Sequence, residues 1–515
     1  MLSKKIVTFA QVLLLCLGMN AQIEERPRPA EWEKLVPGGR YMDRFDTMPG
    51  EQLVTAHWGA EAVRTRLVDN GLEVEGMSIW GGNILQGADG TYHMFVCGWP
   101  EHSRGGHSFW KHSTVFHATS HHLGGPYRIQ ESIGKGHNPE AYLLPNGHVV
   151  VYTIDGYYES TKAILADDAT PNMWVFGQYQ FDARGHRIIE GLSNLTFCRR
   201  SDSSYLMVCR GGGVWISEHG LGKWSQLTSE RIYPPVKGEF EDPVVWRDSI
   251  QYHLIVNDWL GRIAWYERSL DGLHWIVEPG EAYTHGFSRH ADGAVEPWFK
   301  YERPKVFQDE YGRVIQMNFA VIDTLKAEDK PHDTHSSKNI CITMNKGLLL
   351  EVLNTDPIDE RTRKIELRIK GEADFHPADE VDVKSLLFGS YKEVNYGRGC
   401  RAVKTRVEGN DLIVTFNGKG SGIDADEWAP KLLGRNKSGK LLWGYAKLPY
   451  VNYRPAMLSA SAAYTKDGKE MVDVQNFGLS SSPSQDFKVK NAKGVEKTIL
   501  VPELKPYEEV TIALP

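Results

Sequence analysis

The stretch Phe240-Glu-Asp-Pro-Val-Val-Trp-Arg-Asp-Ser-Ile-Gln-Tyr-His-Leu-Ile-Val256 consists of a polar pair, a proline, a short apolar strand, a turn and a second apolar strand. Four other stretches of the chain repeat this plan, and the equivalent positions 82, 139, 195, 243 and 304 are 57, 56, 48 and 61 residues apart. A repeat of this length, built from strands alone, predicts a β-propeller. The other four stretches are residues 79–95, 136–152, 192–208 and 301–317.

The repeats divide the chain into regions. Five blades fit between about residues 78 and 345, and each gains its outer strands from a second recurring element such as Arg268-Ser-Leu-Asp-Gly-Leu-His-Trp275, which resembles the Asp-box turn of sialidase-type propellers. Residues 39–77 and 345–375 also have strand character. A propeller of seven blades is therefore kept as an alternative, although five blades are favoured. After residue 376 the repeat disappears. We therefore predict an all-β chain with a propeller over 22–375 and an accessory β-sandwich over 376–515, which either packs on the propeller or binds sugar.

The first 21 residues are typical of a cleaved signal peptide. Two lysines precede an apolar run from Ile6 to Leu17, and small residues precede Gln22. The run is too short to span a membrane, so we expect an exported protein, periplasmic or secreted, without membrane insertion. The net charge of −7 and the absence of a basic cluster exclude nucleic acid as a partner. The oligomeric state is left open.

The residues that open each repeat should meet around one pocket, because the innermost strand of every propeller blade starts near the central axis. Asp, Asn and the residue before proline also form turns, which is the structural alternative for these positions. The set is nevertheless strongly polar, and its charged members recur at the same edge of several blades. The aligned pairs are Trp80 and Gly81, His137 and Asn138, Ser193 and Asn194, Glu241 and Asp242, and Glu302 and Arg303.

Aromatic residues near these motifs indicate a sugar ligand, because flat rings stack on the apolar faces of sugars. Trp80 and Trp246 are the tryptophans that we expect to contact substrate, together with the amides Asn138 and Asn194. A carbohydrate is therefore the expected partner.

The motif Phe240-Glu-Asp-Pro-Val-Val-Trp246 resembles the Asp-Pro motif of furanosidase-type propeller glycosidases, such as glycoside hydrolase families 43, 32 and 117. The resemblance implies that Asp242 stabilises the transition state. The family places a catalytic Asp at the first blade, where this chain has Trp80-Gly-Gly-Asn83. Hydrolysis needs two carboxyl groups beside the bond. Glu241 or Glu302 is then the expected proton donor, and Glu296 is a further carboxylate that could complete a pair.

A second resemblance is to propeller lyases that act on rhamnose–glucuronate linkages, such as ulvan lyases. It depends on His117 and His137, which are 20 residues apart near blade starts. Histidine suits proton transfer near neutral pH, and arginine binds a uronate carboxylate through its fork. Arg210, Arg262 and Arg303 are the arginines that this chemistry would use, although no matching Tyr is evident.

We therefore predict a carbohydrate-active enzyme, with glycoside hydrolase favoured, polysaccharide lyase as the alternative and a non-catalytic glycan-binding propeller as the third interpretation. No cofactor and no catalytic metal are expected, because the loosely spaced histidine pairs lack a third ligand. A structural ion in the propeller channel is left open.

Overall fold

The computed structural model describes residues 23–49, 53–54, 63, 66–67, 69–103, 105–165, 172–186 and 193–515. The predicted signal peptide lies outside the described residues. Among the described residues, no helix has the length and apolar character needed to cross a membrane.

Five antiparallel sheets follow one another between residues 77 and 343, and we call them blades 1 to 5. Their inner strands contact one another around a common axis. The predicted all-β propeller is confirmed. Blade 1 contains Met77–Gln86, Tyr92–Pro100, Thr114–Ser120 and Arg128–Lys135; blade 2 contains Glu140–Leu143, Val149–Tyr152, Tyr157–Ser160 and Trp174–Gly177; blade 3 contains Thr196–Arg199, Tyr205–Val208, Val214–Ser217, Lys223–Gln226 and the parallel strand Gln180–Asp182; blade 4 contains Phe240–Arg247, Tyr252–Asp258, Ile263–Ser269, Ile276–Val277 and Tyr283–Thr284; blade 5 contains Lys300–Gln308, Val314–Ile322 and Ser337–Thr343.

The ring closes between blade 5 and blade 1. Leu72, which precedes blade 1, forms an antiparallel bridge with Asn339 on the last strand of blade 5. The two backbone hydrogen bonds of this bridge are both 3.1 Å long, and the Asn339 side-chain amide also donates to the carbonyl of Gly81 at 2.5 Å. The chain before the first blade therefore completes the last one, which removes an exposed sheet edge.

Blade interiors are filled by the apolar residues of the repeats. Alternate residues of a strand face opposite sides of its sheet, and in these central strands both sides are covered by neighbouring blades. Met317, Phe319 and Val321 on blade 5 are fully buried in one such layer, and Val150 and Tyr152 on blade 2 in another. This double burial explains why the strands are continuous apolar runs in the sequence.

The region after blade 5 contains two units. A closed seven-stranded barrel is followed by a four-stranded sheet and a hairpin that share one apolar core. The barrel strands are Leu350–Val352, Lys364–Ile369, Leu387–Gly389, Cys400–Glu408, Asp411–Asn417, Lys431–Arg435 and Leu441–Lys447; the sheet strands are Leu458–Ala460, Tyr464–Lys466, Lys469–Asn476 and Glu509–Ala513; the hairpin is Gln485–Lys490 and Glu496–Val501.

The boundary expected at residue 375 falls inside this barrel. Its strand Lys364–Ile369 pairs with Asp411–Asn417 along its whole length, so it belongs with the residues after 376. A single sandwich over 376–515 does not describe the region, since only the part from residue 458 onward forms a small two-layer unit. Strand closure of a barrel depends on pairing between distant segments, which a strand pattern alone does not reveal.

Short helices lie outside the sheets. Two four-residue α-helices, Pro377–Glu380 and Tyr391–Val394, cover the barrel. The 3₁₀ helices are Ala30–Lys34, Tyr41–Arg44, Gly106–His112 and Val383–Ser385, and the strands Leu53–Val54 and Arg66–Leu67 form a separate pair.

A buried ionic cluster joins blade 4 to the barrel. The carboxylate of Glu278 contacts Arg268 at 2.6 Å and Lys431 of the barrel at 3.6 Å, and it accepts a hydrogen bond from the Tyr445 hydroxyl at 2.7 Å. Arg44 from the N-terminal segment donates to the same hydroxyl at 3.0 Å. The N-terminal segment, the propeller and the barrel thus share one charged core.

Candidate functional site

The same backbone turn occurs where each inner strand starts. Gly81, Asn138, Asn194, Asp242 and Arg303 are the equivalent residues of the five blades, and their φ angles are 71°, 56°, 48°, 52° and 47°. This left-handed conformation is easy for Gly and tolerated by Asn and Asp, but it is uncommon for Arg. In blades 1, 4 and 5 the turn is a bulge that shifts the strand register. It therefore separates the side chain of the residue before it, at the mouth, from its own side chain, in the channel.

The channel below the mouth is filled by paired polar groups. Asp242 accepts hydrogen bonds from the backbone N–H of Arg303 at 3.1 Å and from its guanidinium at 3.3 Å, and both residues are buried. Burial raises the pKa of Asp242, and the charge of Arg303 opposes that rise. Lys305 and Glu140 form a second buried ion pair. The Asp242 carboxylate is therefore held in place by Arg303 rather than exposed at the surface.

The two glutamates of the aligned set lie at the mouth. Glu241 accepts a hydrogen bond from the Asn194 side chain at 2.8 Å and lies 3.6 Å from the Arg210 guanidinium. Glu302 pairs with Lys326, and its carboxylate is 3.7 Å from Lys300. The side chain of Glu241 is 17% exposed and that of Glu302 is 1% exposed. Glu241 is thus the carboxyl group with more access to solvent.

Lys326 connects the carboxylates of the mouth. Burial opposes its charge, but Glu302, Glu241 and Asp242 together raise its pKa. Its ammonium group also lies 5.1 Å from the ring centroid of Trp80. Its direct ion pair is with Glu302, and the hydrogen bonds from Arg303 to Asp242 bring Glu241–Asp242 beside Glu302–Arg303.

Aromatic rings line the mouth in blades 1 and 4. Trp80 is buried, with its ring 5.0 Å from that of His107 and 6.4 Å from that of Trp99. On the opposite side, the Lys300 ammonium lies 4.5 Å from the centroid of Trp259. Both lysines at the mouth lie between carboxylates and aromatic faces, but burial lowers the pKa of Lys300, whereas the nearby carboxylates raise that of Lys326.

His137 lies beside Ser113 and Trp110 near the start of blade 2. Its Nδ1 lies 3.0 Å from the Ser113 hydroxyl, and its ring lies 4.6 Å from the ring of Trp110. Burial, followed by the charge of Arg303, holds its pKa well below 6.5. His137 is therefore a neutral imidazole, which can exchange hydrogen bonds but carries no positive charge.

A larger cavity, of about 1150 Å³, lies between blades 4 and 5 and the barrel, away from the mouth. Trp246, Tyr311 and Trp443 line it. None of the aligned polar pairs lines this cavity. Its size alone does not make it a catalytic site. We therefore place the candidate site at the mouth, where the carboxylates converge.

No family model matches the chain, and no curated protein matches its sequence. Among solved structures, the chain is similar to a family 117 glycoside hydrolase from the marine bacterium Zobellia galactanivorans, with 9% identity, a TM-score of 0.37 and coverage of 54% of this chain and 88% of that one. It is also similar to the catalytic domain of the Coprinopsis cinerea GH62 α-L-arabinofuranosidase, with 12% identity, a TM-score of 0.37 and coverage of 58% and 97%. A third is the Cellvibrio cellulosa α-L-arabinanase complexed with arabinohexaose, with 10% identity, a TM-score of 0.35 and coverage of 53% and 92%.

His117 does not lie at the mouth. Its two ring nitrogens contact His93 at 2.9 Å and Glu131 at 3.2 Å, and its ring stacks on Phe95. It occupies the middle of the third strand of blade 1, and third strands are remote from the axis of a propeller. The histidine pair expected for a lyase is therefore not formed, since His117 and His137 have separate sets of partners.

Trp246 is also wrong as a substrate contact. Its ring stacks on that of His253 at 5.0 Å within the core of blade 4. It lies four residues beyond Asp242 on the inner strand, and this distance carries it to the far end of the blade. Glu296 is a structural residue as well, because it accepts hydrogen bonds from Leu67 N–H at 2.8 Å and from the Trp298 indole at 3.0 Å.

The remaining predicted residues are close to the mouth but differ in their roles. Asn138 donates to Asn194 at 2.6 Å in the channel, so these amides position Glu241. Arg210 is at the rim, with 43% of its side chain exposed. Arg262 lies over Phe299 and lines a small cavity together with Trp259 and Lys300.

Two lysines of the site had not been predicted. Lys300 lies two residues before Glu302 on the same strand, and the period of two that puts both on one face could have revealed it. Lys326 lies in the loop between the second and third strands of blade 5, which has no counterpart in the repeats. Only the folded structure shows that this loop returns to the axis.

Proposed function

We propose that the chain is an exported enzyme that hydrolyses glycosidic bonds in a poly- or oligosaccharide. The observation that carries the proposal is that the adjacent pairs Glu241–Asp242 and Glu302–Arg303 meet at one propeller mouth, where Asp242 accepts hydrogen bonds from Arg303 and Glu302 pairs with Lys326. Glycoside hydrolysis by the common routes uses two carboxyl groups on either side of the bond. The mouth supplies the partly exposed Glu241 and the buried Glu302, and the buried Asp242 follows Glu241 in the chain.

The surroundings of the two glutamates suggest different roles. Glu302, which pairs with Lys326 and lies close to Lys300, suits the group that acts as base or nucleophile. Glu241 is more exposed and suits the proton donor. Asp242, fixed by Arg303, adds negative charge near the oxocarbenium-like transition state without contacting the leaving group.

The aromatic and polar groups around the carboxylates suit a sugar. Trp80 and Trp259 lie beside the two lysines, and Arg210, Lys300 and Lys326 supply hydrogen-bond donors for hydroxyl or carboxylate oxygens. The lyase alternative loses its pair of histidines, because His117 is remote from the mouth.

The test is turnover of a glycan panel by wild type, Glu241→Gln and Glu302→Gln, measured as released reducing sugar. Each substitution should lower kcat by on the order of 10²–10⁴-fold, the usual contribution of general acid–base catalysis. Glu310→Gln, an exposed glutamate on the same blade as Glu302, is the matched control and should keep wild-type rates. Formation of unsaturated uronate without hydrolysis, or full activity of both site variants, would contradict the proposal.

A glycan-binding protein without turnover is the second candidate function. It is favoured by one observation: each of the three carboxylates is paired with a cation, Arg210, Arg303 or Lys326. A carboxylate whose charge is balanced by a neighbouring cation can serve to bind a sugar without taking part in catalysis. Retained glycan binding by a wild-type protein that turns over no member of the panel would establish this candidate instead.

A further inference from the structure

Three carboxylates lie together behind the mouth, outside the aligned set. Glu101 follows the second strand of blade 1, and Asp329 and Asp333 lie in the loop between the second and third strands of blade 5. One oxygen from each carboxylate lies within 4.8 Å of the others. Two loops from adjacent blades thus bring like charges into contact distance.

Two of these carboxylates are buried without sufficient partners. Asp329 is 2% exposed, and neither of its oxygens accepts a hydrogen bond from any described residue. Glu101 is 3% exposed; its Oε2 accepts from Ser78 at 2.7 Å and from Ser336 at 3.4 Å, whereas its Oε1 has no hydrogen-bond donor among the described residues. Buried carboxylates are normally paired, hydrogen-bonded or bound to a metal ion.

A histidine nitrogen also lies next to this group of carboxylates. His107 is buried, and its Nδ1 makes no hydrogen bond with any described residue while lying 3.6 Å from Asp329 Oδ2. This spacing is too long for a hydrogen bond. The unsatisfied oxygens and this ring nitrogen therefore surround one polar point between blades 1 and 5.

We propose that Glu101, Asp329 and Asp333 bind a divalent cation of the calcium type. Calcium is a hard cation that takes six to eight oxygen ligands at about 2.3–2.6 Å, with flexible geometry and room for water among them. Three carboxylates supply the anionic part of such a set, and a divalent charge compensates the buried Asp329. The site is distinct from the channel and uses none of the catalytic carboxylates.

The cation has a positioning role at the mouth. The backbone N–H groups of Glu328 and Asp329 both donate to the carbonyl of Leu325, forming the tight turn that carries Lys326. On the other loop, the close approach of the Asp329 carbonyl requires glycine at position 106, where an added Cβ would lie 2.2 Å from that oxygen. Fixing Asp329 to Glu101 therefore fixes Lys326 and the loop of His107 relative to each other.

Calcium binding by the full chain tests the proposal, without any sugar present. The protein is treated with EDTA, dialysed and titrated with CaCl₂ by calorimetry, and its thermal unfolding is followed in parallel. We expect one Ca²⁺ per chain, tighter binding than of Mg²⁺, and a Tm that rises with Ca²⁺ concentration.

Asp329→Asn and Asp333→Asn should each weaken Ca²⁺ binding at least tenfold and remove the Ca²⁺-dependent rise in Tm. The second variant is included because Asp333 is only half-buried, so its replacement should leave folding intact. Asp356→Asn, at an exposed position of the barrel region, is the matched control and should bind like wild type. Absence of binding by wild type, stronger binding of Mg²⁺, or unchanged binding by both variants would overturn the proposal, whatever the outcome of the turnover experiments.

Discussion

A single left-handed residue at the start of each inner strand decides which side chains reach the mouth. The residue before it faces the mouth and its own side chain enters the channel, so Glu241 is partly solvent-accessible while Asp242 pairs with Arg303. The strain differs among blades, since asparagine and aspartate tolerate a positive φ and arginine does so only when other contacts hold it.

Asn138 allows this backbone effect to be measured. At its φ of 56°, alanine should lower the free energy of unfolding by about 1–2 kcal/mol more than glycine does, because glycine accepts the left-handed conformation. Both variants lose the hydrogen bond to Asn194, so the comparison isolates the backbone. Denaturant titration of Asn138→Ala and Asn138→Gly gives the difference, and equal stabilities would mean that the turn carries no strain.

Asp242→Asn tests the channel ion pair. Removing the negative charge leaves the buried Arg303 guanidinium without its counter-charge, and breaking one partner of a buried pair typically costs about 3–5 kcal/mol. We expect a lower unfolding midpoint together with loss of turnover. The exposed Asp426→Asn serves as control, and a stable but inactive Asp242→Asn variant would assign the residue to chemistry alone.

At the scale of elements, the ring depends on contacts that join its first and last blades. The Asn339 side chain donates to Gly81 across this junction, while its backbone bridges Leu72. A propeller with a poorly joined last blade would expose strand edges to other chains.

Asn339→Ala should destabilise the propeller by about 1–3 kcal/mol, since it leaves the buried carbonyl of Gly81 without this donor. Chemical unfolding followed by tryptophan fluorescence measures the change. Asn410→Ala, in an exposed turn of the barrel, should be within error of wild type. If Asn339→Ala also left the free energy of unfolding unchanged, the backbone bridge alone would be sufficient to close the ring.

The sequence predicted the elements of the propeller better than those of the C-terminal region. Repeated pairs of apolar strands identify blades because each blade buries both faces and therefore repeats one pattern. The aligned residues Glu241, Asp242, Glu302 and Arg303 followed from that alignment. His117 and Trp246 were misplaced because periodicity gives the face of a strand but not its distance from the axis, and Lys326 was missed because its loop belongs to no repeat.

At the scale of the molecule, one carboxylate connects three regions. Burial alone would raise the pKa of Glu278, but the charges of Lys431, Arg268 and Arg44 lower it to about 2. Glu278 therefore favours the folded state through its charge. The propeller and the barrel should unfold together as long as this cluster is intact.

The stability due to Glu278 should depend on pH. A carboxyl whose pKa falls from 4.5 in the unfolded chain to about 2 in the folded protein stabilises fully above pH 4.5, and this stabilisation is lost as the pH falls towards 2. Glu278→Gln should cost about 3–5 kcal/mol at pH 7, and less below pH 4. Unfolding midpoints of both proteins between pH 7 and 3 provide the test, and a pH-independent difference would contradict it.

The turn at Gly81 has a consequence for protein design. A Cβ added at this position would have only a Pro139 atom within 4 Å, at 3.8 Å, and its φ of 71° is one that Asp and Asn tolerate. Gly81 shares its left-handed conformation with Asp242, whose φ is 52°. An acid could be installed there by a single substitution, which makes this ring a scaffold on which the number of active-site carboxylates can be varied while the backbone stays the same.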